Sequence, residues 1–217
     1  MKSTIREIIE WIVCIVVTII LALMVRYYIG TPTIVQQTSM DPTLEPYDRL
    51  WLNRWTRTTK KMPERGDIIT FEAPSVTRVL REDIDLNNPI AIYNNNLEGI
   101  ADKFIYYVLE SGKRSYIKRV IALPGEYVEI KDGFVYINGE KLEENYITPG
   151  MVTDMLQGEN DETGFTNFTV PENCVFALGD NRTGSTDCRA FGCIPLEKIE
   201  GTVSFRFWPF SKFGGVE

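Results

Sequence analysis

The 217-residue chain contains no histidine. That absence removes the Ser-His-Asp triad, the Cys-His dyad and every zinc site that draws on imidazole. A general base working near neutral pH must then be a carboxylate, a lysine, a cysteine or a tyrosine. A basic surplus is missing too. The chain has 23 Lys and Arg against 30 Asp and Glu, a net charge of -7, which argues against a nucleic-acid surface, since that needs clustered Lys and Arg. Cysteine is scarce: Cys14 lies in an apolar segment, leaving Cys174, Cys188 and Cys193, an odd number. No C-x-x-C spacing points to zinc. Cys188 and Cys193 are close enough in sequence to pair, and the all-thiol and one-disulfide states both stay open. Internal repeats and blocks of like charge are lacking as well. What remains is ordinary globular composition, 44% hydrophobic and 24% charged, in a chain long enough for one well-packed domain.

Long apolar runs are confined to the N-terminus. From Trp11 to Val25 only Thr18 interrupts the run, with Glu10 and Arg26 at its ends. The 22 residues from Ile8 to Ile29 rise about 33 Å as a helix, roughly the thickness of a bilayer core. Trp11, Tyr27 and Tyr28 fall where an aromatic belt sits. The run leads into Val25-Arg26-Tyr27-Tyr28 and not into a small-x-small site, so it reads as a retained anchor. Lys2, Arg6 and the amino terminus precede the run, and no Lys or Arg occurs from Tyr27 to Tyr47. The positive-inside rule then places the N-terminus in the cytoplasm. Residues 1–29 are expected to be a cytoplasmic N-terminus plus a single transmembrane anchor, and residues 30–217 an extracytoplasmic domain.

Beyond the anchor the pattern turns to short strands. Tyr127–Lys131, Asp132-Gly133, Phe134–Ile137 and Asn138-Gly139 form two consecutive hairpin signals, since these pairs tolerate the positive φ of a two-residue turn. Asp67–Glu72, Tyr116–Ala122, Val175–Leu178 and Thr202–Trp208 are rich in β-branched and aromatic residues. The fold class expected is mainly β, an antiparallel sheet or barrel-like domain behind the N-terminal helix. Residues 73–114, with a short helix expected around Ile100–Leu109, and the acidic stretch 149–170 read as polar insertions.

Three segments carry candidate chemistry. Ser39-Met40-Asp41-Pro42 alone is a serine in a turn. In Ser115–Glu126, strand alternation puts Lys118 on one face with apolar Val120. Leu178–Gly192 is dense in Asp, Asn, Arg and Gly. In order, these segments resemble the type I signal peptidases, membrane-bound proteases that remove signal peptides from exported proteins. The resemblance runs through the anchor, Ser39–Leu44, Arg65-Gly66-Asp67, Tyr116–Gly125, Gly179–Arg189 and Phe207-Trp208-Pro209.

That resemblance implies Ser39 as nucleophile and Lys118 as general base. Lysine can serve only when neutral, which its free pKa of about 10.4 forbids at pH 7; burial among apolar side chains lowers it. It further implies that Ser185 hydrogen-bonds the Lys118 amine, and that Asp180 with Arg119 and Asp187 with Arg189 form supporting ion pairs. Relatives carry serine or glycine two residues before the nucleophile, where this chain has Gln37. The oxyanion donor is then the Ser39 N–H alone or with the Gln37 amide. Cys188 stands where serine is usual. Val35, Met40, Leu44, Tyr116 and Ile117 are the implied lining of a pocket for small-x-small cleavage sites. Implied partners are signal-peptide-bearing preproteins, the lipid bilayer and the secretion translocon. No cofactor or metal is implied. Alternatives are a signal peptidase restricted to pilus subunits or other limited cargo, a non-catalytic membrane-tethered assembly chaperone, and the Ser-Lys self-cleaving domain of SOS-type repressors. The last would need a DNA-binding helical domain where this chain has an apolar span.

Overall fold

The computed structural model describes residues 2–94, 97–154 and 164–216. Its first element, α1 (Lys2–Met24), continues into a π-helical turn at Val25–Ile29. Within this rod Thr4–Ile29 forms one 26-residue helix long and apolar enough to cross a membrane. Ile5, Ile12, Ile19 and Leu21 all stand exposed on it. A helix apolar on every side and exposed along most of its length suits lipid, not a protein core.

Eleven strands follow: β1 (Gly30–Ile34), β2 (Arg49–Asn53), β3 (Ile68–Glu72), β4 (Ser115–Ala122), β5 (Tyr127–Lys131), β6 (Phe134–Ile137), β7 (Glu140–Lys141), β8 (Phe168–Thr169), β9 (Cys174–Leu178), β10 (Ile194–Pro195) and β11 (Ile199–Trp208). Short helices α2 (Trp55–Thr58), α3 (Ile100–Tyr107) and α4 (Cys188–Phe191) lie between them. Seven strands pair in the order β1-β2-β11-β3-β4-β9-β10 and four in the order β7-β6-β5-β8. All the strand pairs are antiparallel. The expected β class holds, but the barrel-like expectation is corrected: both sheets are open. The outer strands β1 and β10 carry Pro32 and Pro195, which lack the N–H that a closing ladder would need.

The hairpins formed where the turn pairs placed them. Asp132 and Gly133 have φ of 52° and 79°, and Asn138 and Gly139 have 53° and 86°. β1 and β2 lie in a stretch that the sequence left unassigned. β1 contains Gly and Pro, and β2 (Arg-Leu-Trp-Leu-Asn) buries only Leu50 and Leu52, too short a pattern to stand out. The main core joins the two sheets through residues such as Phe71, Ile121, Val128, Val135, Phe176 and Phe191. A smaller apolar cluster of Val35, Met40, Leu44, Leu50 and Ile68 lies apart from it. Neither insertion is purely polar. Val79 and Ala91 from the first are buried, as are Thr153, Phe165, Phe168 and Val170 from the second; residues 155–163 of that second stretch lie outside the described residues. All four cysteines are free thiols, and Cys174, Cys188 and Cys193 are buried.

Candidate active site

Lys118 sits in the middle of β4, opposite Ile69 of β3. Burial in this sheet leaves it 2% exposed, and Ser39 is 6% exposed. Lys118 Nζ lies 2.8 Å from Ser39 Oγ and 2.9 Å from the Ile117 carbonyl oxygen. Burial pulls the Lys118 amine down to about 8, against the attraction of Asp187, which holds it up. About a tenth of such an amine is neutral at pH 7, against well under a thousandth for a free lysine.

Ser39 opens a turn that runs through Thr43, closed by Leu44 N donating to the Met40 carbonyl at 2.9 Å. The turn is pinned from outside. Asn181 donates its backbone N–H to Ser39 O at 3.1 Å and its amide to Thr38 O at 3.2 Å. The N–H of Ser39 has no hydrogen-bond partner among the described residues. Gln37 is exposed in the same cleft as Ser39.

Both expected ion pairs are formed. Arg119 donates from Nε and Nη2 to Asp180 at 3.0 and 2.8 Å, and Thr43 Oγ1 donates to the same carboxylate at 2.6 Å. Asp187 accepts from Arg189 Nε and Nη2, each at 2.9 Å, and from Gly179 N at 3.1 Å. Burial alone would raise the Asp187 carboxyl, but the Arg189 charge and these hydrogen bonds hold it below its ordinary value. The expected hydrogen bond from Ser185 to Lys118 is not formed. Ser185 Oγ is buried without a partner, while the Lys118 amine is engaged by Ser39 and Ile117. Ser185 packs on Gly179, where a Cβ would lie 2.2 Å from Ser185 Oγ and 2.4 Å from Ser39 O. Only glycine fits that approach.

Sequence reasoning missed the role of another buried arginine, Arg182. Arg182 donates to Gly179 O at 3.0 Å, to Thr153 Oγ1 at 2.5 Å and to Glu144 at 3.0 and 2.5 Å. The Tyr146 ring lies 4.1 Å from the Arg119 guanidinium and 6.0 Å from that of Arg182. Arg182 belongs to the Gly179–Arg189 block, but its partners come from an acidic stretch with no motif to mark them.

A cleft of about 510 Å³ runs past Ser39 and Lys118. One wall is Thr33–Gln37, the end of β1 and the residues just after it; the other is Ser115–Lys118 of β4. β9 pairs with β4 only from Arg119 onward, so Ser115–Lys118 has no strand neighbour on that side. Val35, Tyr116 and Ile117 line the cleft as expected. Met40 and Leu44 do not; both are fully buried in the smaller apolar cluster.

Residues 8–208 match the family model described as signal peptidase, peptidase S26, and the chain belongs to that family of serine peptidases. It is 32% identical over 216 residues to signal peptidase IB of Staphylococcus aureus (strain COL), covering 96% of this chain and 93% of that protein. It is 32% identical over 205 residues to a probable signal peptidase I-1 of Synechocystis, covering 94% and 85%. A crystal structure of a signal peptidase I from Enterococcus faecalis V583 aligns with 66% of this chain and 98% of its own, at 28% identity and a TM-score of 0.40.

Proposed function

We propose that this chain is a membrane-bound endopeptidase that removes signal peptides from exported preproteins, with Ser39 as nucleophile and Lys118 as general base. The observation that carries the assignment is the 2.8 Å contact between Lys118 Nζ and Ser39 Oγ, made by an amine that burial brings to about 8. The neutral amine accepts the Ser39 proton as Oγ attacks the scissile carbonyl, and returns it to the leaving amine. The Ser39 N–H, without a hydrogen-bond partner among the described residues, is the proposed oxyanion donor, with the Gln37 amide of the same cleft as a second. Such donors are each worth about 3–4 kcal/mol of barrier.

The preprotein binds extended, completing the open edge at Ser115–Lys118 as an added strand. Side chains that enter the cleft meet Val35 and Ile117, and the narrow space favours small-x-small sites. β1 begins directly after the helix that ends at Ile29, and the ten residues from Gly30 to Ser39 span at most about 36 Å. Ser39 therefore works close to the membrane surface opposite the cytoplasmic N-terminus, where segments leaving the secretion translocon emerge. The direct test is processing of an Ala-x-Ala preprotein in detergent. Ser39→Ala and Lys118→Ala should each lose at least about a thousandfold in kcat with the fold intact by circular dichroism. Parent-like processing by Lys118→Ala would sink the assignment.

A further inference from the structure

The cleft is lined by charge of one sign. Lys113, Arg114 and Lys118 border it, and among the described residues no Asp or Glu does, in a chain whose net charge is -7. Two of these cations are already engaged. Lys113 Nζ lies 2.6 Å from Glu200 Oε1, an oxygen that also accepts from Ser115 Oγ at 3.0 Å. Lys118 is held by Ser39 and Ile117. Arg114 is different: it is exposed, and its side chain has no hydrogen bond or ion pair among the described residues. A guanidinium presents its N–H donors in a planar fork that matches a carboxylate. This one stands free at the rim of the cleft.

The ladder fixes the face on which Arg114 lies. Ala73 N donates to Arg114 O at 2.9 Å and Val120 N to Asp67 O at 2.8 Å, so the even-numbered residues of this stretch bond toward β3. Ser115 and Ile117 turn their backbone groups to the open edge, where an added strand bonds. Side chains alternate as well: Lys113, Ser115 and Ile117 take one face, and Arg114, Tyr116 and Lys118 the other. The contacts agree, since Lys113 and Ser115 meet on Glu200 and Lys118 Nζ lies 5.5 Å from the Tyr116 ring centre.

Lys113 also lines a second cavity of about 340 Å³ that reaches Tyr27 at the end of the anchor, so this end of the cleft is the one nearer the membrane. A substrate whose upstream part is a membrane segment therefore runs from Arg114 toward Ser39, parallel to β4. Its first upstream residue takes the Ile117 face, and both strands advance about 3.3 Å per residue. Three residues back from Ile117 is Arg114. Three back from the first upstream residue is the fourth, level with Arg114 and on its face. Resting on the endopeptidase reading above, we infer that Arg114 is a specificity-determining residue that favours an acidic side chain, aspartate or glutamate, at the fourth residue upstream of the cleaved bond and disfavours a cationic one.

The test uses the full chain in detergent and peptides of one sequence, with alanine at the first and third upstream positions and glutamate, glutamine or lysine at the fourth. The parent should cleave the glutamate peptide with a kcat/KM about two- to fivefold above the glutamine peptide, the size of a solvent-exposed ion pair, and the lysine peptide more slowly than either. Sodium chloride at about 1 M should bring these ratios close to one. Ratios taken within one variant cancel any general loss of activity. In Arg114→Gln the glutamate-to-glutamine ratio should fall to about one, and in Arg114→Glu the order should invert, with lysine preferred. A parent without the preference, a ratio unchanged in Arg114→Gln, or an equal preference for glutamate moved to the fifth position would each overturn the inference and leave the endopeptidase reading standing. Failure of the parent to cleave any of the peptides would remove both.

Discussion

At the scale of single residues, Lys118 sets function against stability. Its amine titrates near 8 in the folded protein against an ordinary 10.5. Between those values the unfolded chain binds more protons than the folded one, so stability rises with pH across that window. Below pH 8 the buried ammonium costs about 3 kcal/mol. Two outcomes are expected. The rate of peptide cleavage should rise about tenfold per pH unit up to about 8 and level off above it. Lys118→Met should be inactive yet more stable than the parent at pH 7 by up to about 3 kcal/mol, with the gap closing toward pH 10.5; urea midpoints at the two pH values read this directly. A variant equally or less stable at pH 7 would contradict the burial argument. The closeness of Ser39 and Lys118 was legible in the sequence, because the missing histidine and the ordered motifs singled out these two residues. The hydrogen bond expected of Ser185 was not, since motifs identify residue types and not which lone pair meets which donor.

At the scale of elements, the Gly179–Arg189 loop is braced by the stretch after β7. Arg182 joins Gly179, two residues from Asn181 and its hold on Ser39, to Glu144 and Thr153. Arg182 is fully buried and Glu144 nearly so. Removing one partner strands a charge, at a cost of about 3–5 kcal/mol, whereas an apolar pair of similar volume can recover most of it. Arg182→Met and Glu144→Met should therefore each be strongly destabilised, and the double variant much less so. Additive losses in a thermodynamic cycle of unfolding midpoints would show that the pair is not coupled. The hairpins of β5, β6 and β7 were readable because Asp-Gly and Asn-Gly are local signals. β1, β2 and the Arg182 brace depend on partners far away in sequence, and nothing local announces them.

At the scale of the whole molecule, the anchor is tied into the β domain. Arg57 donates to Tyr27 O at 2.6 Å and covers the Tyr27 ring at 4.6 Å, Arg54 N donates to Ile29 O at 2.9 Å, and Thr58 Oγ1 reaches Tyr28 O at 3.2 Å. Glu110, just beyond α3, pairs with Arg26 at 2.8 Å and with buried Arg54. The first insertion thus contributes Glu110 to the junction between the helix and the β domain, a contact its polar composition did not disclose. Glu110→Gln should leave cleavage of a short soluble peptide within about twofold while lowering processing of a membrane-inserted preprotein in vesicles by about tenfold. Equal losses on the two substrates would assign Glu110 to stability alone.

The open edge at Ser115–Lys118 has a consequence in time. An edge is completed only by a chain that still has unpaired backbone groups of its own, so a segment already folded into helix or sheet has nothing to offer it. Under the proposed strand-addition mode, cleavage is a race against the folding of the exported chain, which a segment wins by arriving while it is still extended. An enzyme held at the membrane meets its substrates before they can compete.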